Sequence, residues 1–306
     1  MEVLTFDRIA ADVEKVLAIC SDAGVRTAGT RIAVAAKRIR EIWEHIATHR
    51  PDEDWPRVGG FRDVSLLIEG SEFATLLPCI ERWLAEQPED VSSKLNRVLS
   101  GPLLPTQETA ETNKARNVLF ELTLAAKLER FGRRTEHGEH PDVTLRLPQR
   151  DIFLECKRTF SPKKVDENMK DAEAQLASDL EEAPGTTFGV VAIDVTKVVN
   201  PEYECCKFWD ESQLGRNMAS RVDSVIARTK STRERFRAQR IIGVLYRFVT
   251  IAHDLLHNRY VLAIQDCVVS LGGPQYTNRY AAFEAFRRSL GMDGVRYRRN
   301  TKALLG

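Results

Sequence analysis

The sequence has no excess of charge of either sign and no long apolar run. Lys and Arg total 45 against 44 Asp and Glu, which excludes a uniformly basic nucleic-acid coat and an acidic disordered tail. No apolar run reaches the roughly 18 residues that a bilayer-spanning helix needs. The first residues carry neither a basic segment nor a long apolar stretch, so we expect no secretory signal and no membrane partner.

Cysteine is also scarce and poorly spaced for metal or redox chemistry. Six cysteines in 306 residues do not make a disulfide scaffold. None forms a CxxC pair, and Cys205 and Cys206 are adjacent, which suits neither a zinc ribbon nor a redox motif. The composition, 43% hydrophobic and 29% charged, is that of a globular protein. We therefore expect reduced thiols and a cytoplasmic protein.

The chain divides by pattern into two regions. Apolar residues recur at helical spacing through residues 1–105, including a helix over Leu66 to Leu84, with a Gly- and Pro-rich loop at 49–60. The Gly- and Pro-containing break at 101–106 ends this helical N-terminal region. It carries no chemical motif, and by elimination we assign it to dimerisation, as a homodimer, or to sensing.

Residues 106–306 have a mixed α/β pattern. Two alternating runs joined by a short turn predict a hairpin, and a nearly all-apolar run predicts a strand covered on both faces. The predicted order is helix 109–130, a short polar strand at 133–136, hairpin arms 142–147 and 152–157, helix 164–182, strand 188–195, a basic helix 213–240, strands 241–251 and 260–270, and a helix at 281–290.

The hairpin gathers the first candidate site residues. If Leu147 pairs with Ile152 across the turn, Asp142 opposes Lys157. Side chains alternate along a strand, so Glu155 and Lys157 share one face. Cross-strand and diagonal neighbours are within reach of one another, and two carboxylates and one ammonium therefore converge at the open end of the hairpin.

Glu121 adds a third carboxylate. It lies on the apolar stripe of its helix, where a buried carboxylate is costly unless it is paired or bound to a cation, and we expect it to point at the hairpin. Clustered carboxylates suit Mg²⁺ or Mn²⁺. Such an ion makes a bound water acidic enough to attack a phosphate, and a nearby lysine can orient that water or stabilise charge. The predicted reaction is hydrolysis of a phosphodiester.

The spacing of these residues resembles a known signature. Pro141-Asp142, twelve further residues and then Glu155-Cys156-Lys157 are similar to the motif of the PD-(D/E)XK nuclease superfamily, the restriction-endonuclease-like proteins. The resemblance covers roughly residues 109–195. It implies an α/β fold with an αβββαβ core and a mixed sheet, preceded here by the helical N-terminal region.

The resemblance also implies roles for single residues. Asp142 and Glu155 would ligate Mg²⁺ or Mn²⁺, and the backbone carbonyl of Cys156 would add a ligand. Glu121 would act directly or through water. Lys157 would position or activate the attacking water, and Gln175 would help to hold Lys157 or a phosphate.

The function implied is a Mg²⁺-dependent endodeoxyribonuclease, serving restriction, repair or phage defence. Two basic segments support a DNA partner: residues 213–240 hold eight Lys or Arg against two acids, and residues 278–302 hold seven against two. Two alternatives stay open. One is a catalytically silent nucleic-acid-binding module with a nuclease-like fold, and the other is a nuclease toxin directed at RNA.

Several other residues are weaker candidates. His137 and His140 stand just before the motif and could assist, although a loop histidine is more often merely solvated. Asp194 ends the apolar strand and could border the site or only cap a turn. His253 and His257 have the i, i+4 spacing of a metal pair, but the HExxH pattern is missing, so a short polar connection is the better interpretation.

Overall fold

The structure is a computed structural model, and it is a mixed α/β protein. Within the described part of the chain it has eleven α-helices and eight strands. The residues that it describes are 2–48, 61–104, 107, 113–257, 259–272 and 277–292. The predicted boundary at 105 and 106 and the predicted loop at 49–60 lie outside these residues, as does the last part of the basic C-terminal segment.

The elements follow one another in a helical half and a mixed half. The helices are α1 (Phe6–Asp22), α2 (Arg31–Thr48), α3 (Phe61–Ala74), α4 (Leu77–Glu86), α5 (Pro88–Ser100), α6 (Lys114–Arg130), α7 (Val165–Glu182), α8 (Thr196–Val199), α9 (Glu211–Arg228), α10 (Lys230–Arg233) and α11 (Thr277–Ser289). The strands are β1 (Glu2–Thr5), β2 (Arg134–His137), β3 (Val143–Leu147), β4 (Arg150–Arg158), β5 (Phe188–Asp194), β6 (Cys206–Phe208), β7 (Ile241–Asp254) and β8 (Arg259–Ser270).

The chain folds into two compact units, and α6, α9, β7 and β8 contribute residues to both. The first unit comprises Met1–Ala126, Thr196–Arg221 and Phe248–Gln265. The second comprises Lys127–Val195, Val222–Arg247 and Asp266–Gly306.

The first unit confirms the helical N-terminal region and corrects it in two places. The core faces of α1 and α2 are buried as their spacing predicts, with Val13, Val16 and Ile39 fully enclosed. The single helix predicted over Leu66 to Leu84 is wrong: α3 ends at Ala74 and α4 begins at Leu77, because Pro78 lacks an amide hydrogen and is tolerated only in the first turn of a helix.

The same unit contains structure that the helical pattern did not predict. Strand β1 precedes α1 and pairs antiparallel with β8, and β6 pairs parallel with β7. Both strands are short, and runs of three or four residues give too little alternation to be distinguished from helix or loop. Helix α5 was also not predicted.

The second unit holds the hairpin in a mixed sheet. The strand order in this unit is β8-β7-β5-β4-β3-β2. Strands β2, β3 and β4 pair antiparallel in sequence, and β5 pairs parallel with β4 and with β7. Helix α7 connects β4 to β5, as a parallel pair requires a crossover. The short polar strand predicted at 133–136 is present as β2.

The predicted register of the hairpin is wrong by two residues. Leu147 pairs with Arg150, and Leu145, rather than Leu147, pairs with Ile152. The loop is the two-residue turn 148–149, which fixes the register of a hairpin. Because the shift is an even number, every side chain keeps its predicted face. The partner of Asp142 changes: continuing the register by one residue puts it opposite Glu155 instead of Lys157.

The basic helix predicted over residues 213–240 is also interrupted. Helix α9 ends at Arg228, α10 covers only Lys230–Arg233, and no helix is described from 234 to 240. At the break, the Thr229 hydroxyl donates to the Val225 carbonyl at 2.8 Å, a bond that competes with the helical ladder and bends or ends helices. None of the helices in the described ranges has both the length and the apolar character needed to cross a bilayer.

Candidate functional site

The candidate site lies in the second unit, at the open end of the β3–β4 hairpin. Asp142 directly precedes β3, and its Oδ2 accepts a hydrogen bond of 2.8 Å from the backbone amide of Cys156 on β4. The bond joins the two arms beyond their last ladder pair. It also fixes one carboxylate beside the strand that carries Glu155 and Lys157.

Glu155 and Lys157 form an ion pair on one face of β4. Nζ of Lys157 donates to Oε1 of Glu155 at 2.7 Å. The side chain of Glu155 is 1% exposed and that of Lys157 is 21% exposed. Burial lowers the pKa of Lys157, but the charge and hydrogen bond of Glu155 and the charge of Asp142 outweigh it, so this pKa is raised above its ordinary value. Lys157 is therefore an ammonium at neutral pH.

Glu155 also belongs to a second group of side chains, with His140 and Asp179. One ligand atom of each of the three residues lies within 4.8 Å of the other two. His140 is exposed in the segment before β3, Glu155 is buried on β4, and Asp179 is half-buried on α7. Glu155 is thus shared between an ammonium and a histidine-carboxylate pair.

Asp179 carries its charge in an unfavourable environment. Burial raises the pKa of Asp179 above its ordinary value, nearby Glu182 raises it further, and only His140 opposes these effects. Its Oδ2 is buried and accepts no hydrogen bond from the described residues. A cation bound between Asp179 and Glu155 would relieve both the desolvation and the repulsion.

Gln175 lies one helical turn before Asp179 on α7. Its Oε1 is buried and accepts no hydrogen bond from the described part of the chain. The Lys157 ammonium donates to Glu155 rather than to Gln175. The predicted role of Gln175 in holding Lys157 is therefore not supported by a hydrogen bond between these two residues. The predicted role of Gln175 in holding a phosphate stays a prediction.

Glu121 forms a buried ion pair within the first unit. Its Oε2 accepts a hydrogen bond of 2.7 Å from Nζ of Lys94, and both side chains are 8% exposed. The expectation that a carboxylate on the apolar stripe of α6 needs a counter-charge is met here by a lysine of α5. A role for Glu121 toward a metal stays a prediction.

The other weaker candidates have partners of their own. Asp194 ends β5 and lies 3.2 Å from Nε of Arg158, with both side chains buried. In the first unit, Nδ1 of His257 lies 2.8 Å from Asp254, and His253 stacks on Tyr260 at 4.7 Å between ring centroids. Each of these two histidines thus contacts a protein side chain. Neither contact requires the metal ion that the i, i+4 spacing suggested.

Sequence reasoning missed Asp179 altogether. A signal was available, since Asp179 follows Gln175 by four residues on a predicted helix, and residues at i and i+4 share one helix face. Any face of α7 that presents Gln175 to the hairpin also presents Asp179.

The donor set fits a divalent cation. Opposed ligands of an octahedral Mg²⁺ lie about 4.2 Å apart, because each metal–oxygen bond is about 2.1 Å long. Adjacent ligands lie about 3.0 Å apart, and at most one pair among three ligands can be opposed. Ligand atoms that lie within 4.8 Å of one another would therefore have to move closer together, by up to about 1.8 Å for an adjacent pair. Carboxylate oxygen suits both Mg²⁺ and Mn²⁺, whereas imidazole nitrogen favours transition metals, so His140, Glu155 and Asp179 together are better suited to Mn²⁺.

Comparison with known proteins does not narrow the assignment. No protein-family model, no curated protein and no solved structure matches this chain. The chemistry of the hairpin residues and their surroundings therefore carries the functional argument alone.

Proposed function

We propose that the protein is a metal-dependent nuclease that hydrolyses phosphodiester bonds of DNA, with its site at the open end of the β3–β4 hairpin. The observation that carries the proposal is the position of Glu155. This buried carboxylate pairs with the Lys157 ammonium on one side and lies within 4.8 Å of the His140 and Asp179 ligand atoms on the other.

The order of elements from α6 to β5 supports a restriction-endonuclease-like core for this proposal. Along the chain, helix α6 is followed by three antiparallel strands, β2, β3 and β4, then by helix α7 and by β5, which pairs parallel with β4. This is the order αβββαβ that the resemblance implies. Asp142 directly precedes the second of these strands, and Glu155 and Lys157 lie on the third, close to the positions expected of the signature residues.

His140, Glu155 and Asp179 would hold the divalent cation, and the predicted ligand Asp142 directly precedes β3 on the other arm of the hairpin. When bound, such an ion supplies Lewis acidity and lowers the pKa of a coordinated water. Asp142 is committed to the Cys156 amide through one oxygen. That bond holds β3 and β4 at a fixed separation at the open end of the hairpin.

Lys157 acts as a cation in this scheme. Its raised pKa keeps the amine protonated at neutral pH, so it is unsuited to abstract a proton from water. A positioned ammonium instead donates hydrogen bonds and stabilises the negative charge that develops on a phosphate. We assign Lys157 to orientation of the phosphate and to charge stabilisation.

Exposed arginines of the second unit supply candidate contacts to the nucleic-acid backbone. Several cations of the basic segment serve the protein's own structure: Arg233 is buried against Tyr246, and Arg240 donates to backbone carbonyls. Arg228, Arg235 and Arg237 are exposed, and guanidinium groups contact phosphates without reading sequence. These three exposed arginines favour a nucleic-acid substrate, but they do not distinguish DNA from RNA.

The test is cleavage of supercoiled plasmid DNA with Mg²⁺ or Mn²⁺. We expect the wild type to nick the plasmid only with a divalent cation and Lys157→Met to lose at least a hundredfold in rate. The matched control is Lys164→Met, since the side chain of Lys164 is 41% exposed and pairs with Glu167 in the first turn of α7. Thermal melting of both variants separates lost chemistry from lost folding.

Equal nicking by wild type and folded Lys157→Met would refute the assignment. An RNA oligonucleotide run in parallel tests the alternative substrate, because preferential cleavage of RNA would transfer the same site to a ribonuclease. Binding of either nucleic acid without any turnover in Mg²⁺ or Mn²⁺ would favour the silent binding module instead.

A further inference from the structure

We propose that the first unit contains a binding site for a small ligand that carries two or more linked phosphate groups. The site is a cavity of about 620 Å³ between the loop that precedes α2 and the C-terminal half of α5. Cavities of about 300–1,000 Å³ are typical of small-molecule sites. All of its lining residues belong to the first unit, and none takes part in the proposed nuclease chemistry.

Positive charge is the distinguishing property of this cavity. Three arginines line it, Arg26, Arg31 and Arg97, and among its described lining residues none is acidic. The guanidinium group offers a planar fork of donors that matches phosphate oxygens. The charge of Arg31 is already paired with Glu69, so Arg26 and Arg97 bring the exposed guanidinium groups that can contact a ligand. Two such groups beside one cavity suit two linked phosphate groups.

Arg31 is the rigid member of the three. Its side chain is 1% exposed, its Nε donates to the Val98 carbonyl at 2.8 Å, and its Nη1 donates to Glu69. Glu69 in turn pairs with Arg116. A guanidinium that is buried and bonded in this way is committed to Glu69 and Val98. Arg31 therefore forms a fixed wall of the cavity, and the other two arginines are the donors for a ligand.

Arg26 and Arg97 are the adaptable members. Both are exposed, and Arg26 forms no hydrogen bond or ion pair with the described residues. Arg26 lies in the loop before α2 and Arg97 on α5, so the two reach the cavity from separate elements. An arginine without a protein partner beside a concave surface is available to a ligand.

The N-terminal end of α2 adds to the positive electrostatic potential in the cavity. Gly29, with a φ of +74°, makes the turn that leads to Thr30, and α2 carries no acidic residue in its first turn. The partial positive charge at a helix N-terminus favours anions. Ser93 and Asn96 of α5 also line the cavity and provide hydroxyl and amide donors, so phosphate oxygens would meet polar hydrogens from two sides.

The test is isothermal titration of the full-length protein with pyrophosphate, ATP and adenosine, without divalent cations. We expect pyrophosphate and ATP to bind, adenosine not to bind, and binding to weaken as salt is added. Arg26→Ala and Arg97→Ala should each weaken binding about tenfold or more, since each removes charged hydrogen bonds. Arg8→Ala, an equal charge change at an exposed position of α1, should leave binding unchanged.

The outcomes separate the ligand's source from the proposal itself. Equal affinities for pyrophosphate and ATP identify the polyphosphate group as the ligand, and tighter binding of ATP identifies a nucleotide; both support the site. Absence of binding, or binding unchanged in both folded arginine variants, overturns it. A single-stranded oligonucleotide that alone depends on Arg26 and Arg97 would also overturn it, since the cavity would then be a nucleic-acid contact. Nuclease activity enters none of these measurements.

Discussion

The ammonium of Lys157 lies 2.7 Å from a carboxylate oxygen of Glu155, two residues away on the same face of β4. Neighbours at i and i+2 on a strand point the same way, so the sequence spacing itself creates the pair. Glu155 is almost completely buried, and an unpaired carboxylate there would be strongly unfavourable. Lys157 thus neutralises Glu155 in the folded protein, and in the proposed nuclease it would also present a cation to the phosphate.

The first prediction tests the neutralisation of Glu155 by a double-mutant cycle. Lys157→Met should lower the free energy of unfolding by about 2 kcal/mol, because it leaves Glu155 buried without its partner, and partial exposure of Lys157 keeps the loss below that of a fully buried pair. Adding Glu155→Gln should restore most of that loss, since the amide carries no charge. Urea denaturation measures both. Additive effects in the cycle would contradict the pairing.

The second prediction concerns Asp179. Asp179→Asn removes a partly desolvated carboxylate whose pKa is raised by burial, so at neutral pH the metal-free variant should be as stable as the wild type or more stable. The same change should weaken Mn²⁺ binding about tenfold or more, because a carboxylate ligand is replaced by a weaker amide oxygen. Thermal melting with and without Mn²⁺ measures both effects.

Asp171 provides the matched control for Asp179. It is an exposed aspartate on the same helix, and Asp171→Asn should change neither the melting temperature nor its increase with Mn²⁺. A variant of Asp179 that keeps the full Mn²⁺-dependent stabilisation would remove this residue from the ligand set.

The sequence predicts the elements of the second unit better than it predicts their pairing. Alternation fixed the face of Glu155 and Lys157, and the two-residue error in register left that face unchanged, because side chains repeat every two residues. Which residue opposes Asp142 depends on the turn, and Pro148 and Gln149 give no strong signal for a two-residue loop. The register between β3 and β4 was therefore predictable only to within a shift of an even number of residues.

The sequence does not predict which residues form ion pairs or hydrogen bonds with residues far away in the chain. The helical stripe of α6 predicts that Glu121 needs a counter-charge, but nothing local identifies Lys94 on another helix as its source. The pairs Arg158–Asp194 and Thr232–Asp166 likewise join residues 36 and 66 positions apart. Hydrophobic periodicity predicts which face of a helix or strand is buried, but it does not predict which residues pack against that face.

The third prediction tests the ion cluster of the first unit. The Glu69 carboxylate accepts from two buried guanidinium groups, Arg31 and Arg116. Glu69→Gln should lower the free energy of unfolding by about 3 kcal/mol or more, since both cations lose their shared counter-charge in a buried site. Glu86→Gln is the control, because the Arg82–Glu86 pair is exposed and should contribute about 0.5 kcal/mol or less. Chemical denaturation that gives equal losses for the two variants would contradict the cluster's role.

The fourth prediction concerns Asp266, which receives two cations in the second unit. Its Oδ1 lies 2.8 Å from Nε of Arg247 and its Oδ2 lies 3.0 Å from Nζ of Lys127. Burial alone would raise the pKa of Asp266, but the charges and hydrogen bonds of Arg247 and Lys127 outweigh it and hold this pKa well below its usual range. At pH 7, Asp266→Asn should therefore cost about 3 kcal/mol.

The pH dependence of this loss follows from the direction of the shift. A carboxyl group whose pKa is lowered by folding contributes its full stability above its unfolded pKa of about 3.9 and loses it as the pH falls toward the folded value. The difference between wild type and Asp266→Asn should thus be constant from about pH 7 to pH 5 and shrink below about pH 4. Asp151→Asn, which breaks a more exposed pair with Arg146, should cost about 0.5 kcal/mol at most. Urea denaturation between pH 3 and 7 gives the curve; a difference between wild type and Asp266→Asn that persists unchanged at the lowest pH would mean that packing, and not the ion cluster, carries the stability.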